Sequence, residues 1–289
     1  MAPGAGGSRW RHLTLPMVGL VVLAGCTTVP PSAERLALAD TLAATHSWRR
    51  VSMPTSEFRL AAYLPEKAST GDRLTVYLEG DGFAWESPSR PSADPTPLSP
   101  MGLKLALADF RSSAGAGPVA YLARPCQFTT ELDPACAEMF WTEWRFAPQV
   151  VDATSQAMDA LKARSGASRL RLVGYSGGGA LATLLAARRN DVTELVTVAG
   201  NLDHRAWTRH HRLKPLDGSL NPADILATIA AVPQWHFAGP GDRVVPAELT
   251  RDLVASMPAG SPARFILVPE QDHHCCWPDV WPQLLAELP

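Results

Sequence analysis

Short, nearly continuous apolar runs recur along the chain and predict β-strands at residues 58–64, 74–78, 119–122, 170–173, 195–198, 235–238 and 265–268. Such runs suit strands buried on both faces of a parallel sheet, which have no solvated face to keep polar. Longer stretches between them predict helices at 103–111, 150–164, 180–189, 246–257 and 280–288. The clearest is ALATLLAARR at 180–189, with Arg188 and Arg189 in its last turn, where cations oppose the negative helix end. Strand–helix alternation with short links predicts one α/β domain over residues 55–289, a mostly parallel sheet with helices on both faces. Two stretches do not fit the alternation. The proline-rich SPSRPSADPTPLSP at 87–100 predicts a surface loop, and 125–148, with Trp141 and Trp144, predicts an insert ordered by packing and a disulfide.

Composition narrows the class. The 289 residues are 46% hydrophobic and 19% charged, a globular balance with too much apolar material for a disordered chain. A net charge of −2 leaves no basic footprint for nucleic acid. The 26 prolines show no period, so a collagen reading fails. The apolar run at 13–25 is too short to span a bilayer.

One motif carries chemistry. Residues 169–178 read RLRLVGYSGG, so a strand runs into Gly174-Tyr175-Ser176-Gly177-Gly178 and then into a helix. This is G-x-S-x-G in the strand–turn–helix setting that lifts a serine hydroxyl clear of a sheet edge. The following helix start supplies free N–H groups and a partial positive charge for a developing anion. A nucleophilic serine needs a base, and the base needs an orienting acid. Asp242 lies just past the 235–238 strand in a glycine-rich turn, with Asp203 and Asp272 as rival acids. His273 and His274 lie just past the 265–268 strand. Being adjacent, their side chains diverge, so one at most is the base. All these candidates fall at strand C-terminal ends, where open α/β sheets place their sites. His204, His210 and His211 follow the 195–198 strand in a polar loop and are expected to face solvent. An oxyanion hole needs two backbone N–H groups. Gly177 is the expected first donor, and Asp81 or Gly82, in the EGDGFAW loop after the 74–78 strand, the second.

The N-terminus predicts an export signal. Arg9, Arg11 and His12 form a basic region, and residues 13–23 an apolar one of signal-peptide length. It ends in Leu23-Ala24-Gly25-Cys26, which resembles the lipobox of bacterial lipoproteins. That resemblance implies a signal peptide at 1–25, an acylated Cys26, and a tether and helix over 26–54. Thr27 after the cysteine, by the same resemblance, implies the outer membrane or periplasm. An exported protein keeps disulfides. Cys126, Cys136, Cys275 and Cys276 remain, and four cysteines allow three pairings. The short Cys126–Cys136 loop is favoured; Cys275 and Cys276 pair vicinally or stay reduced. Four consecutive residues at 273–276 cannot easily surround a tetrahedral zinc, so no metal is expected.

With these residues in view, the chain resembles the α/β-hydrolase superfamily over residues 55–289. It looks most like bacterial α/β-hydrolase lipoproteins with an E-G-D-G-x-x-W loop, an R-P-C-Q segment and a D-H-x-C-C-W ending, here 79–85, 124–127 and 272–277. The resemblance implies His273 as the base and Cys126–Cys136 as a structural pair. Glu79 stands where many esterases carry histidine. The expected function is a lipid-anchored serine hydrolase that cleaves an ester, thioester or amide of a small acyl substrate through Ser176, Asp242 and His273, without a cofactor. The alternative is a non-catalytic envelope lipoprotein that keeps the fold.

Overall fold

The computed structural model describes residues 29–112, 117–129 and 133–288, together with Met1, Ala2, Gly4 and Gly7. Cys26 and the expected basic and apolar parts of the signal segment, residues 9–25, lie outside the described residues. Among the described residues no helix is long and apolar enough to cross a membrane.

Eight strands form the main sheet: β1 (Trp48–Pro54), β2 (Arg59–Pro65), β3 (Arg73–Leu78), β6 (Val119–Leu122), β7 (Arg169–Tyr175), β8 (Val192–Val198), β9 (Gln234–Ala238) and β10 (Ala263–Leu267). Their spatial order is β1-β2-β6-β3-β7-β8-β9-β10. The first three are joined by antiparallel pairings, and from β6 to β10 every pairing is parallel. A separate small hairpin pairs β4 (Trp85–Ser87) with β5 (Arg90–Pro91).

The apolar runs produce this arrangement because alternate residues face opposite layers. Leu74, Val76 and Leu78 of β3 join one core with α3 (Pro148–Ser165) and α4 (Gly177–Arg188). Tyr77 points the other way, into a core with α1 (Ser32–Ala44), α2 (Met101–Ser112) and α7 (Trp277–Ala286). β7 divides in the same way, Leu170 and Leu172 to one core, Val173 and Tyr175 to the other. Burying each large apolar side chain contributes roughly 1.5–3 kcal/mol. The second core also closes its polar groups: Trp281 Nε1 donates to the Tyr77 hydroxyl (2.9 Å), which donates to Asp109 (2.8 Å). α6 (Ala247–Ala255) covers β9 and β10.

Three expectations change. The sheet begins before residue 55: β1 pairs with β2 along its length, within the stretch expected to be tether and helix. The proline-rich segment is not simply a surface loop. It opens with the β4–β5 hairpin, and Ser92, Pro95, Thr96 and Pro97 are buried. Residues 204–211 are a helix, α5 (His204–His211), whose N–H groups at Arg205 and Ala206 are capped by Asp203. His204 does not face solvent. It is 3% exposed, and its ring stacks on Phe146 at 6.2 Å. His210 is exposed and His211 half-buried.

Candidate active site

Ser176 sits between β7 and α4 with φ 53° and ψ −122°, a backbone conformation that L-residues rarely adopt. Packing imposes it. Ser176 N–H donates to Val198 O (2.9 Å), while Ser176 O accepts from the N–H groups of Gly179 (2.9 Å) and Asn201 (3.1 Å). The turn is so tight that a Cβ on Gly174 would strike the Gly178 carbonyl.

Three sequence candidates meet here. His273 Nε2 lies 3.0 Å from Ser176 Oγ, and His273 Nδ1 lies 2.8 Å from Asp242 Oδ2. Both Asp242 and His273 are buried. Asp242 Oδ1 accepts from the N–H groups of Val244 (2.8 Å) and Val245 (2.7 Å), which fixes the carboxylate and leaves its other oxygen for histidine. The His273 carbonyl accepts from the Tyr175 hydroxyl (2.7 Å), so the residue beside the serine also holds the histidine backbone.

The rivals are elsewhere occupied. Asp203 caps α5 and accepts from Asn221 Nδ2 at 3.0 Å. Asp272 is exposed, and its Oδ1 accepts from the N–H groups of His274 and Cys275, each at 2.7 Å. The ring of His274 stands edge-on to His273 at 5.1 Å, at the cleft rim. Burial, then the neighbouring His273, holds its pKa below the usual histidine value.

Gly177 opens α4, beneath the positive end of the helix. A side chain there would collide with the Asp81 carboxylate. Residues 79–82 are held from three directions. Glu79 Oε1 accepts from the N–H groups of Gly80 (3.0 Å) and Gly102 (3.1 Å), and its Oε2 from the Tyr121 hydroxyl (2.9 Å). Gln127 Nε2 donates to Gly80 O at 3.0 Å. Asp81 takes Arg124 Nη1 at 3.0 Å and Arg145 Nη1 at 2.6 Å. Burial works against the Asp81 charge, but Arg145 and then Arg124 outweigh it and its pKa is lowered. Among the described residues no cation bonds Glu79; burial outweighs its hydrogen bonds and raises its pKa.

Sequence reasoning missed Arg145, which reaches Asp81 across 64 positions from within the insert. The disulfide Cys126–Cys136 ties the insert together. Cys275 and Cys276 are joined to each other beside His273. Among the described residues no group of three or more His, Cys, Asp or Glu is placed to hold a metal ion.

The site opens into a cleft of about 550 Å3 walled by Phe83, Trp85, Leu98, Met101, Trp207 and Val244. Trp85, Leu98 and Val244 are partly exposed at its mouth. The arrangement can move a proton from the serine hydroxyl to histidine beside a mainly apolar binding space.

No protein-family model and no curated protein matches the sequence. Solved structures do resemble the fold. Esterase Pf2001 from Pyrococcus furiosus is 11% identical, with a TM-score of 0.59 over 83% of this chain and 88% of that one. An alpha-beta serine hydrolase homologue from Coxiella burnetii is 13% identical, with a TM-score of 0.57 over 83% of this chain and 97% of that one. Est1E from Butyrivibrio proteoclasticus is 14% identical, with a TM-score of 0.53 over 82% of this chain and 96% of that one. The mostly parallel eight-stranded sheet, its helices on both faces and these likenesses together establish that the chain has the α/β-hydrolase fold.

Proposed function

We propose that the protein is a serine hydrolase acting on carboxylic esters, with Ser176 as nucleophile, His273 as general base and Asp242 as the residue that orients the base. The observation carrying this reading is the continuous Ser176–His273–Asp242 hydrogen-bond chain of 3.0 and 2.8 Å, buried at the acid end. The name of one structural neighbour, esterase Pf2001 from Pyrococcus furiosus, agrees with it.

In the first half-reaction Ser176 Oγ adds to the ester carbonyl carbon while its proton passes to His273 Nε2. The carbonyl oxygen becomes negative and faces the Gly177 N–H and the backbone of residues 81–82. The adduct collapses, the carbon–oxygen bond to the alcohol breaks, and His273 returns the proton to the departing oxygen. Water then attacks the acyl-serine, giving its proton to His273; the carboxylic acid leaves and Ser176 regains a proton. Asp242 stays ionised and stabilises the imidazolium formed in each half. The aromatic and aliphatic cleft favours an acyl group over a charged peptide terminus. Thioesters and amides are the chemically adjacent substrates.

A screen of nitrophenyl esters with graded acyl length tests this reading. Turnover that depends on chain length and disappears in Ser176→Ala is expected; turnover unaffected by that substitution contradicts it.

The anchoring proposal rests on the sequence Leu23-Ala24-Gly25-Cys26. The protein is tethered at the cell envelope by acyl chains on Cys26, which hold a protein at a membrane without spanning it. Cys26→Ser is expected to release it into the soluble fraction. Membrane retention of that variant contradicts lipid attachment.

A further inference from the structure

We infer that Asn201 is a specificity-determining residue whose carboxamide binds a hydroxyl on the substrate, beside the scissile ester; the inference rests on the serine-hydrolase reading of the same cleft. Asn201 follows β8, while the 79–82 loop follows β3, and these strands flank β7 on opposite sides. Asn201 therefore lies across Ser176 from the oxyanion side. Its N–H donates to Ser176 O at 3.1 Å, which fixes its backbone against the nucleophile turn. The residue is 4% exposed and lines the cleft.

The other buried polar side chains of the cleft are committed. Glu79 accepts from Gly80, Gly102 and Tyr121. Asp81 and Arg145 bind each other, and Ser99 accepts from Lys104. The Tyr175 hydroxyl donates to His273 O, and Trp207 Nε1 to Val244 O. His274 is exposed at the rim. Among the described cleft residues, Asn201 is the buried one whose polar side chain has no hydrogen bond within the protein.

A carboxamide offers both a donor and an acceptor. A hydroxyl uses both, and being neutral it suits a cleft whose charged groups are already paired. A site built to bond a substrate hydroxyl discriminates against the analogue lacking it, because the buried partner is then left unpaired. The favoured substrate class is therefore a hydroxylated ester with an otherwise apolar acyl or alcohol part.

Two substrate pairs locate the hydroxyl. Nitrophenyl butanoate against nitrophenyl β-hydroxybutanoate places it on the acyl group. Propyl butanoate against its β-hydroxypropyl analogue places it on the alcohol. The wild-type protein is expected to prefer the hydroxylated member of one pair by about tenfold or more in kcat/KM. Asn201→Leu and Asn201→Ala should reduce that ratio to near unity, the hydroxylated ester losing more than the plain one. Labelling of Ser176 by a fluorophosphonate in both variants shows that the turn still folds. Equal rates for both members of both pairs, or a preference that survives both substitutions, overturns the inference and leaves the hydrolase reading intact. Binding to Ser176→Ala, read by cleft tryptophan fluorescence, separates the other case. If wild type turns over no ester, yet the hydroxylated compound binds about tenfold more tightly and Asn201→Leu removes the difference, the hydrolase reading fails and takes the specificity role with it, while hydroxyl binding by Asn201 stands. No turnover and no binding difference overturns both.

Discussion

Two loops flank Ser176, and they are held in different ways. Residues 79–82, after β3, are fixed by buried side chains that arrive from distant parts of the chain: Tyr121, Arg124, Gln127 and Arg145. The loop after β10, residues 268–276, carries His273 and is fixed mainly by side chains of its own, Asp272 and Gln271, that cap its own backbone, with the Tyr175 hydroxyl reaching the His273 carbonyl from beside the serine. Asp272 accepts two N–H groups from the next turn, Cys276 N–H donates to Gln271 Oε1 (2.8 Å), and Gly241 N–H donates to Gln271 O (3.0 Å). Asp272, Cys275 and Cys276 are exposed while His273 between them is buried. The difference follows the work each loop would do. Donors for a developing oxyanion must stand still in a site shielded from water. A base that takes up and releases protons needs fixed geometry, but it can sit at the edge of solvent.

Removing chemistry from either side of the serine tests the contrast most severely. Ser176→Ala should lower kcat/KM roughly 10^4- to 10^6-fold, and His273→Ala nearly as far. The double variant should be little worse than either, because the groups act as a unit. His274→Ala should lose much less and mainly in KM. A dead His274→Ala with an active His273→Ala would mean that the loop register is off by one.

Next in size is the ionic side of the first loop. Asp81→Asn leaves two nearly buried guanidinium groups without their carboxylate and should cost about 3 kcal/mol, lowering Tm by roughly 6–12 °C. Asp272→Ala, in the other loop, removes an exposed acceptor and should lower Tm by only about 2–4 °C. Equal losses would erase the distinction between the loops.

Acid titration sharpens it within one loop. The lowered pKa of Asp81 means that its contribution is fully present above the unfolded carboxylate value, about 3.9, and is lost as pH falls through the folded value. Glu79 has the opposite sign. Its pKa is raised, so its ionised form costs stability as pH rises from about 4.3 through the folded value, and acidification over that window restores it. Melting followed from pH 7 to pH 3 should show wild type gaining on Glu79→Gln as acid is added, then losing its advantage over Asp81→Asn. Parallel curves for all three proteins would contradict this assignment of charges.

The inner sheet was legible because buried strands read as apolar runs, and the β7–Ser176–α4 turn because its glycines are a local demand. β1 was not. WRRVSMP is an edge strand with only Trp48 and Met53 buried, and Arg49 and Arg50 mask its alternation. α5, HRAWTRHH, has no apolar stripe; its usable signal was the Asp203 cap. The pairing of Asp81 with Arg124 and Arg145 joins residues 43 and 64 positions apart, and no local pattern announces it. Asn201 is equally silent in sequence, since what distinguishes it is the bonding of every other buried polar side chain in the cleft.

Site-resolved labelling asks whether Ser176 is the nucleophile and His273 its base. The protein is exposed to a fluorophosphonate, digested, and its peptides weighed. One adduct is expected, on Ser176, that is absent in Ser176→Ala and forms far more slowly in His273→Ala, while His274→Ala labels at close to the wild-type rate. An adduct on another serine, or undiminished labelling of Ser176 without His273, would contradict it.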